Sequence, residues 1–337
     1  MTADAYRWDE LTRSWVVVLP SRRAAGNALR RPAGPLLPKI EGRCPFCPGN
    51  EADTEETLAA WPAEGPWRVR VVRNKYPIAR DTPGSLTSGP GPDVSPGFTW
   101  EGAVGAHEVV VEAAEHDVDL PDLADDHLAD VLCAYRDRMR AIAARPGVVS
   151  VAAFRNRGRR AGSSQPHPHG QVVGSPVLGP HERARDEAAR AFFDDSGEIL
   201  LSSLLARELA AGERVVETTP RFVALCPYAP HQSREVHLVP SDPARTFLAA
   251  GDAPLAELAA LLGRTLRRLV GVTGGTDYNL VLRVPPIASA ASPHAFWFID
   301  ILPRSSGGAG YEHTTGIDLV VIPPERAAAE LRAASPG

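Results

Sequence analysis

The stretch W-R-V-R-V-V-R at 67–73 alternates apolar and polar residues cleanly and predicts a half-buried strand; W-V-V-V-L at 15–19 and H-E-V-V-V-E-A at 107–113 predict two more. Between residues 121 and 144 the period changes. Leu128, Val131, Leu132, Tyr135, Met139 and Ile142 recur at helical spacing, one face of an amphipathic helix. A strand over 148–155 follows, then a loop rich in glycine and arginine, then S-S-Q-P-H-P-H-G-Q at 163–171, which runs on into apolar residues. The stretch 81–97 has no packing pattern and reads as a solvated insertion.

The order strand, helix, strand, turn returns in the second half at a constant offset. H-E-V-V-V begins at His107 and R-E-V-H-L at Arg234, and 234 − 107 = 127. The same shift carries Leu128, Tyr135, Met139 and Ile142 onto Leu255, Leu262, Leu266 and Leu269, and His167 onto His294. One α+β unit duplicated, each half an antiparallel sheet with helices, is the expected fold class. The halves divide at 1–180 and 181–337. Under the shift His169 becomes Phe296, Gln171 becomes Phe298 and His116 becomes Pro243, so the N-terminal half is expected to be the active copy.

Composition narrows the function classes. A formal net charge of -5 over 337 residues argues against nucleic-acid binding, while leaving room for a local basic pocket. The polar N-terminus is unlike a signal peptide and no apolar run has membrane-spanning length, so a cytoplasmic enzyme is expected. Four cysteines include Cys44 and Cys47 in C-P-F-C-P-G-N. Such a pair is metal-binding or redox-active in a reducing compartment, and the surrounding prolines disfavour the helix start of a thioredoxin-like motif. Cys133 and Cys226 read as small buried hydrophobes.

His167 and His169 stand at i and i+2, and side chains two apart in extended chain share a face, with Gln171 next in the row. A neutral histidine held in one tautomer by a bond to its second nitrogen can attack phosphorus, and the tight H-P-H turn offers a carbonyl for that bond. Gly170 is expected to admit a phosphate close to the backbone, and Gln171 to steady its oxygens. R-N-R-G-R-R-A-G-S-S before the histidines supplies cations, amides and hydroxyls for a diphosphate.

Six segments together carry a resemblance: C-P-F-C-P-G-N at 44–50, N-K-Y-P at 74–77, E-H-D-V-D-L-P at 115–121, F-R-N-R-G at 154–158, the histidine segment at 163–171 and G-Y-E at 310–312. The chain resembles the galactose-1-phosphate uridylyltransferase family, nucleotidyltransferases of the histidine-triad superfamily. The resemblance implies two repeated halves, a homodimer and a structural zinc. It places His169 on the nucleophile, Gln171 on the residue that steadies the phosphoryl group, and Ser164 on a distal-phosphate contact. Arg22, Asn74 and Asn156 fall on nucleotide- or phosphate-contacting positions, Tyr311 and Glu312 on the hexose-binding segment, and Cys44, Cys47, His116 and His167 on the zinc ligands.

Three features depart from the family pattern. F-I-D at 298–300 stands where a second metal site, where present, has a H-x-H pair. Arg157, Arg159 and Arg160 replace small residues, and no glutamine follows G-Y-E. The leading expectation is transfer of a nucleotidyl group from a nucleoside diphosphate sugar to a sugar 1-phosphate through a covalent nucleotidyl-histidine. The alternative is a phosphorylase or adenylyltransferase acting on a nucleotide sugar or dinucleoside polyphosphate with inorganic phosphate, for which Arg159 and Arg160 would supply an anionic acceptor pocket. A zinc-stabilised binding module without catalysis is the expectation from another class.

Overall fold

The computed structural model describes residues 3–22, 43–80, 98–99, 101–243, 246–304 and 308–337; the loop read at 81–97 lies outside them. Among the described residues a small sheet joins β1 (Ala5–Asp9), β2 (Ser14–Val18) and β13 (Asp318–Val320), and the one-turn helix α1 (Pro20–Arg22) follows β2. The main sheet holds β3 (Thr57–Trp61), β4 (Val69–Arg73), β5 (Ala106–Val111), β6 (Ser150–Arg157), β7 (His169–Ser175), β8 (Val215–Thr218), β9 (Phe222–Leu225), β10 (Val236–Pro240), β11 (Tyr278–Arg283) and β12 (Phe298–Pro303). The longer helices are α2 (Asp125–Ala143), α3 (Pro180–Ser196), α4 (Leu200–Ala211), α5 (Asp252–Thr273), α6 (Gly310–Thr315) and α7 (Pro324–Ala333). None is long and apolar enough to cross a membrane.

The strand order β3-β4-β5-β7-β6-β11-β12-β10-β9-β8 reads the same from either end once the halves are matched. Every pairing in it is antiparallel. The halves meet at β6 and β11, where Phe154 faces Val281, and 281 − 154 = 127. The sequence offset is therefore a pseudo-twofold relation passing between these two residues. Duplication of an amphipathic unit explains it: each half sheet needs one helix to bury its apolar face, and pairing β6 with β11 covers the edge each half would otherwise expose.

Helices α2 and α5 lie on one face of the sheet. Leu128, Leu132, Met139 and Ile142 from α2 and Leu255, Leu262, Leu266 and Leu269 from α5 join Val110, Val151, Val172, Leu280, Ile299 and Val236 in one core. The opposite face is finished differently in the two halves. Over the C-terminal half, Ala188 and Ala189 of α3 and Leu200, Leu201 and Leu205 of α4 bury Phe296 and Phe298. Over the N-terminal half, Val72, Val109 and Val111 meet only Phe46 and Trp67 among the described residues. That open face carries the site. Of the two cysteines read as core, Cys226 is fully buried, whereas Cys133 is half-buried with its thiol 3.8 Å from Asp252.

Candidate active site

Strand alternation sets the site out. In β5 and β7, Val111 faces His169, Val109 faces Gln171 and His107 faces Val173, all on the open side. His167 precedes the strand and turns toward the segment at 44–47. The four side chains of Cys44, Cys47, His116 and His167 converge, with ligand atoms all within 4.8 Å of one another. The thiol of Cys47 is 3.4 Å from His116 Nδ1 and 3.7 Å from His167 Nδ1, the thiol of Cys44 is 3.7 Å from His167 Nδ1, and the two Nδ1 atoms are 3.3 Å apart. A tetrahedral ion with metal–sulfur bonds of about 2.3 Å and metal–nitrogen bonds of about 2.05 Å would have S–N edges of about 3.5 Å and N–N edges of about 3.3 Å. The set fits a metal on geometry and on donor chemistry. His167 Nε2–H donates to the Ala113 carbonyl at 2.9 Å, which leaves Nδ1 bare toward the ion position.

His169 is oriented by its own turn. Its Nδ1–H donates to the His167 carbonyl at 2.8 Å, which leaves Nε2 with a free lone pair. Burial pushes its pKa below the ordinary histidine value, against the opposing pull of that hydrogen bond and of Glu112, so the ring is neutral at pH 7. A cavity of about 210 Å³ opens before it, lined among others by Asp119, Arg155, Asn156, Arg157, Ser163, Gln165 and both histidines of the turn.

Gln171 is held from the side by a residue that sequence reasoning passed over as a strand position. The Ile78 N–H donates to His107 Nδ1 at 3.0 Å, so His107 carries its proton on Nε2 and donates to Gln171 Oε1 at 2.8 Å. That fixes the Gln171 amide, whose NH2 group has no hydrogen-bond partner among the described residues. Asn74 lies 3.0 Å from the same Nε2 and accepts the Tyr76 N–H at 2.8 Å.

Beneath the cavity lies a buried ionic network, also absent from the sequence reading. Arg155 donates to Glu112 at 2.6 Å, to Asp119 at 2.6 Å and to Tyr278 at 2.9 Å, and Tyr135 donates to Glu112 at 2.8 Å. Burial opposes the charge on Arg155, yet Asp119 and Glu112 outweigh it and hold the guanidinium pKa above its usual value.

Two expectations for the loop change. The Arg157 guanidinium is occupied by Asp119 at 2.9 Å and by the carbonyls of Gly275 and Thr276, while Arg159 and Arg160 are exposed and neither lines the cavity. The reason is the turn at Gly158, whose φ of 84° sends the chain over Asp277; there Asp277 accepts the backbone N–H of Arg160. Gly170 faces the helices rather than the cavity: a β-carbon there would lie 1.5 Å from the Tyr135 hydroxyl. Its smallness lets Tyr135 reach Glu112.

Other expected residues are dispersed. Asn156 lines the cavity and accepts the Asn279 amide at 2.7 Å, and Ser163 lines it where Ser164 is exposed and does not. Arg22, ending α1, is exposed. Tyr311 and Glu312 sit on α6, Tyr311 with its hydroxyl 3.1 Å from that of Tyr6 and Glu312 accepting the Ala309 N–H at 3.0 Å; neither lines the cavity.

Residues 2–178 match the family model of the galactose-1-phosphate uridyl transferase N-terminal domain, more than half of the chain. The chain belongs to that family. It is 29% identical over 335 residues to ADP-glucose phosphorylase of Arabidopsis thaliana, covering 98% of this chain and 92% of the relative. It is 28% identical over 261 residues to galactose-1-phosphate uridylyltransferase of Haemophilus influenzae, covering 76% and 71%. The crystal structure of the Arabidopsis ADP-glucose phosphorylase with bound ADP-glucose superposes with a TM-score of 0.84 over 99% of each chain at 27% identity. A uridylyltransferase structure gives 0.76 over 98% of each at 26% identity.

Within this transferase fold the second copy of the site is partly covered by α3. Arg283, Val284 and Pro285 stand where Asn156, Arg157 and Gly158 do, but the offset grows from 127 in β11 to 129 in β12. Phe154 pairs with Gln171 and Val281 with Asp300, so Phe298 takes the place of His169 and Asp300 that of Gln171. Arg283, Val284 and Pro285 border a space of only about 20 Å³, across which α3 lays Glu182, Arg185, Asp186 and Ala189.

Proposed function

We propose that the protein is a nucleotidyltransferase that works through a covalent nucleotidyl-His169, taking a nucleoside diphosphate sugar as donor and inorganic phosphate as acceptor. The observation that carries the chemistry is His169 itself: neutral, with Nδ1–H committed to the His167 carbonyl and Nε2 open to the cavity. In the first half-reaction Nε2 attacks the α-phosphorus, an N–P bond forms, and the P–O bond to the β-phosphate breaks to release a sugar 1-phosphate. In the second, a phosphate oxygen attacks the same phosphorus, the N–P bond breaks, and a nucleoside diphosphate leaves. The hydrogen bond to the His167 carbonyl spreads the positive charge that the imidazole gains. The Gln171 NH2, aimed by His107, donates to a non-bridging oxygen as charge builds there. Asn156, which lines the cavity, supports a phosphate or nucleotide contact, and the family resemblance alone carries the same role for Asn74 and the distal-phosphate role for Ser164.

Zinc is the proposed metal, held by Cys44, Cys47, His116 and His167. Its contribution is rigidity: it ties the 44–47 segment to the turn that carries His169, and it enters no chemical step.

The phosphorylase acceptor is favoured over a sugar 1-phosphate because the likeness to ADP-glucose phosphorylase spans both chains almost end to end, whereas that to the Haemophilus uridylyltransferase spans about three quarters. The missing glutamine after G-Y-E points the same way. Tyr311 and Glu312 do not reach the cavity of their own chain, so if they contact a sugar they serve a neighbouring subunit of a homodimer.

The test is incubation with ADP-glucose or UDP-glucose labelled at the α-phosphate. Acid-labile label should appear on the wild-type chain and not on His169→Gly, and inorganic phosphate should release it as nucleoside diphosphate. Release by galactose 1-phosphate but not by phosphate would establish the uridylyltransferase reading instead. Equal labelling of His169→Gly would end the nucleophile assignment.

A further inference from the structure

A second polar cavity of about 210 Å³ lies in the C-terminal half, between α3, β11, β12 and the turn after β1. His181 and Arg185 enter it from α3, Arg283 from β11, Arg304 from just past β12, and His231 from the loop before β10. Its acids are engaged except for Asp300 Oδ1, which is buried without a hydrogen-bond partner, 3.7 Å from His237 Nε2. Asp9 and Asp318 hold His231 at 3.1 and 2.6 Å, and Glu235 takes His237 at 2.9 Å together with the N–H groups of His231 and Gln232. Asp300 Oδ2 takes Arg283 at 2.8 Å.

Arg185 is left over. It is only 9% exposed, and among the described residues its guanidinium makes no hydrogen bond or ion pair. An unpaired buried cation is costly, and in a low dielectric a second guanidinium nearby makes it more so. Glu182, Asp300 and Asp9 act on Arg185 from a distance in the opposite sense to Arg283, and none of them bonds it. Burial and then Arg283 push the Arg185 pKa down to about 10, and burial, Arg283, Arg185 and His231 together push His181 below its ordinary value. A metal ion is a poor occupant. Glu235, His237 and Asp300 do converge within 4.8 Å, but Arg283 neutralises Asp300 and Arg185 adds a further positive charge. An anion supplies what the cavity lacks. Guanidinium and imidazole donors reach it from separate elements rather than from one plane, which suits a tetrahedral oxyanion better than a flat carboxylate.

We propose that this cavity is a second anion site, distinct from the His169 cavity, which takes orthophosphate or the phosphate of a small phosphomonoester against Arg185 and Arg283. In the family repeat it lies on the structural half, so its occupant binds without reacting.

Equilibrium dialysis of the full chain with radiolabelled orthophosphate, and separately with glycerol 3-phosphate, tests it against Arg185→Gln and Arg185→Lys. The wild type should bind about one phosphate more per chain than Arg185→Gln, with Arg185→Lys in between in affinity. If phosphate also enters the His169 cavity the counts are about two and one; if that reading fails they are about one and zero, so the two proposals separate. Whichever probe shows the Arg185-dependent site tells whether free phosphate or a phosphomonoester is preferred. Melting curves in a buffer free of phosphate and sulfate give the control on folding. Arg185→Gln should melt no lower than wild type there, since it removes an unpaired charge, and should lose the stabilisation that ligand gives the wild type. Equal counts in wild type and Arg185→Gln for both probes would overturn the site. So would an Arg185→Gln chain that melts well below wild type without ligand while keeping the full ligand-induced rise.

Discussion

Replacing Gly170 with alanine asks what the glycine of the histidine segment is for. The added β-carbon would stand 1.5 Å from the Tyr135 hydroxyl oxygen, 2.8 Å from its ring carbon Cζ and 3.0 Å from the Phe154 carbonyl. Tyr135 is 2% exposed, so it cannot swing into solvent. Overpacking of this kind costs about 1–3 kcal/mol. Displacing Tyr135 also breaks its bond to Glu112, a charged acceptor, for roughly another 1.5–3 kcal/mol. Gly170→Ala should therefore destabilise by about 2.5–6 kcal/mol, and Tyr135→Phe alone by about 1.5–3 kcal/mol. In the double variant the hydroxyl overlap is gone and the hydrogen bond is lost only once. Its cost should fall short of the sum of the singles by at least about 1.5–3 kcal/mol, and by more as the overlap is relieved. Equilibrium urea unfolding of the four proteins measures the cycle. Strict additivity would refute the reasoning. A Gly170→Ala chain of normal stability with a raised KM for the phosphate acceptor would restore the phosphate-approach role instead.

Two further outcomes follow from the site and the small sheet. Metal analysis should find about one zinc per chain in the wild type and none in Cys44→Ser, with a lower melting temperature in the variant; undiminished zinc would move the ligands elsewhere. His231 has a pKa raised to about 11, burial being outweighed by its bonds to Asp318 and Asp9. A raised folded-state value means stability that is fully present below the ordinary histidine value near 6.5 and is lost as pH rises toward about 11. The melting-temperature gap between wild type and His231→Gln should therefore narrow steadily from about pH 7 to about pH 10, and a constant gap would show that the contact is not ionic.

Much was legible in the residues because its physics is local or periodic. Leu128 through Ile142 and their shifted partners Leu255 through Leu269 show α2 and α5 and the duplication directly, since helical spacing and a constant offset survive without any contact being known. The i and i+2 placing of His167 and His169 announced a shared turn, and the carbonyl that orients His169 is supplied within that turn. The ligand quartet came through family likeness, with its tetrahedral spacing visible only once residues 44, 47, 116 and 167 are brought together. What stayed hidden depends on groups far apart in sequence. Nothing in H-E-V-V-V says that His107 will meet a glutamine in β7, nor that Arg157 will be spent on Asp119 and Asp277 rather than on a substrate. Composition alone made those arginines look like a phosphate pocket, because charge can be counted in a sequence while the partner that neutralises it cannot.

The sequence by itself determined the repeating unit, the reactive turn and which half keeps its polar constellation, because periodicity, spacing and side-chain chemistry are properties of neighbouring residues. Tertiary structure alone decided that, among the described residues, α3 and α4 pack over the second copy, narrowing the space beside Arg283 and Val284 to about 20 Å³. It alone turned Gly170 toward Tyr135 and left Arg185 without a partner among the described residues. Those outcomes are set by which surfaces meet when a chain with two similar halves closes on itself. The two halves share one order of strand, helix and strand, yet α3 and α4 have only one of the two faces to cover.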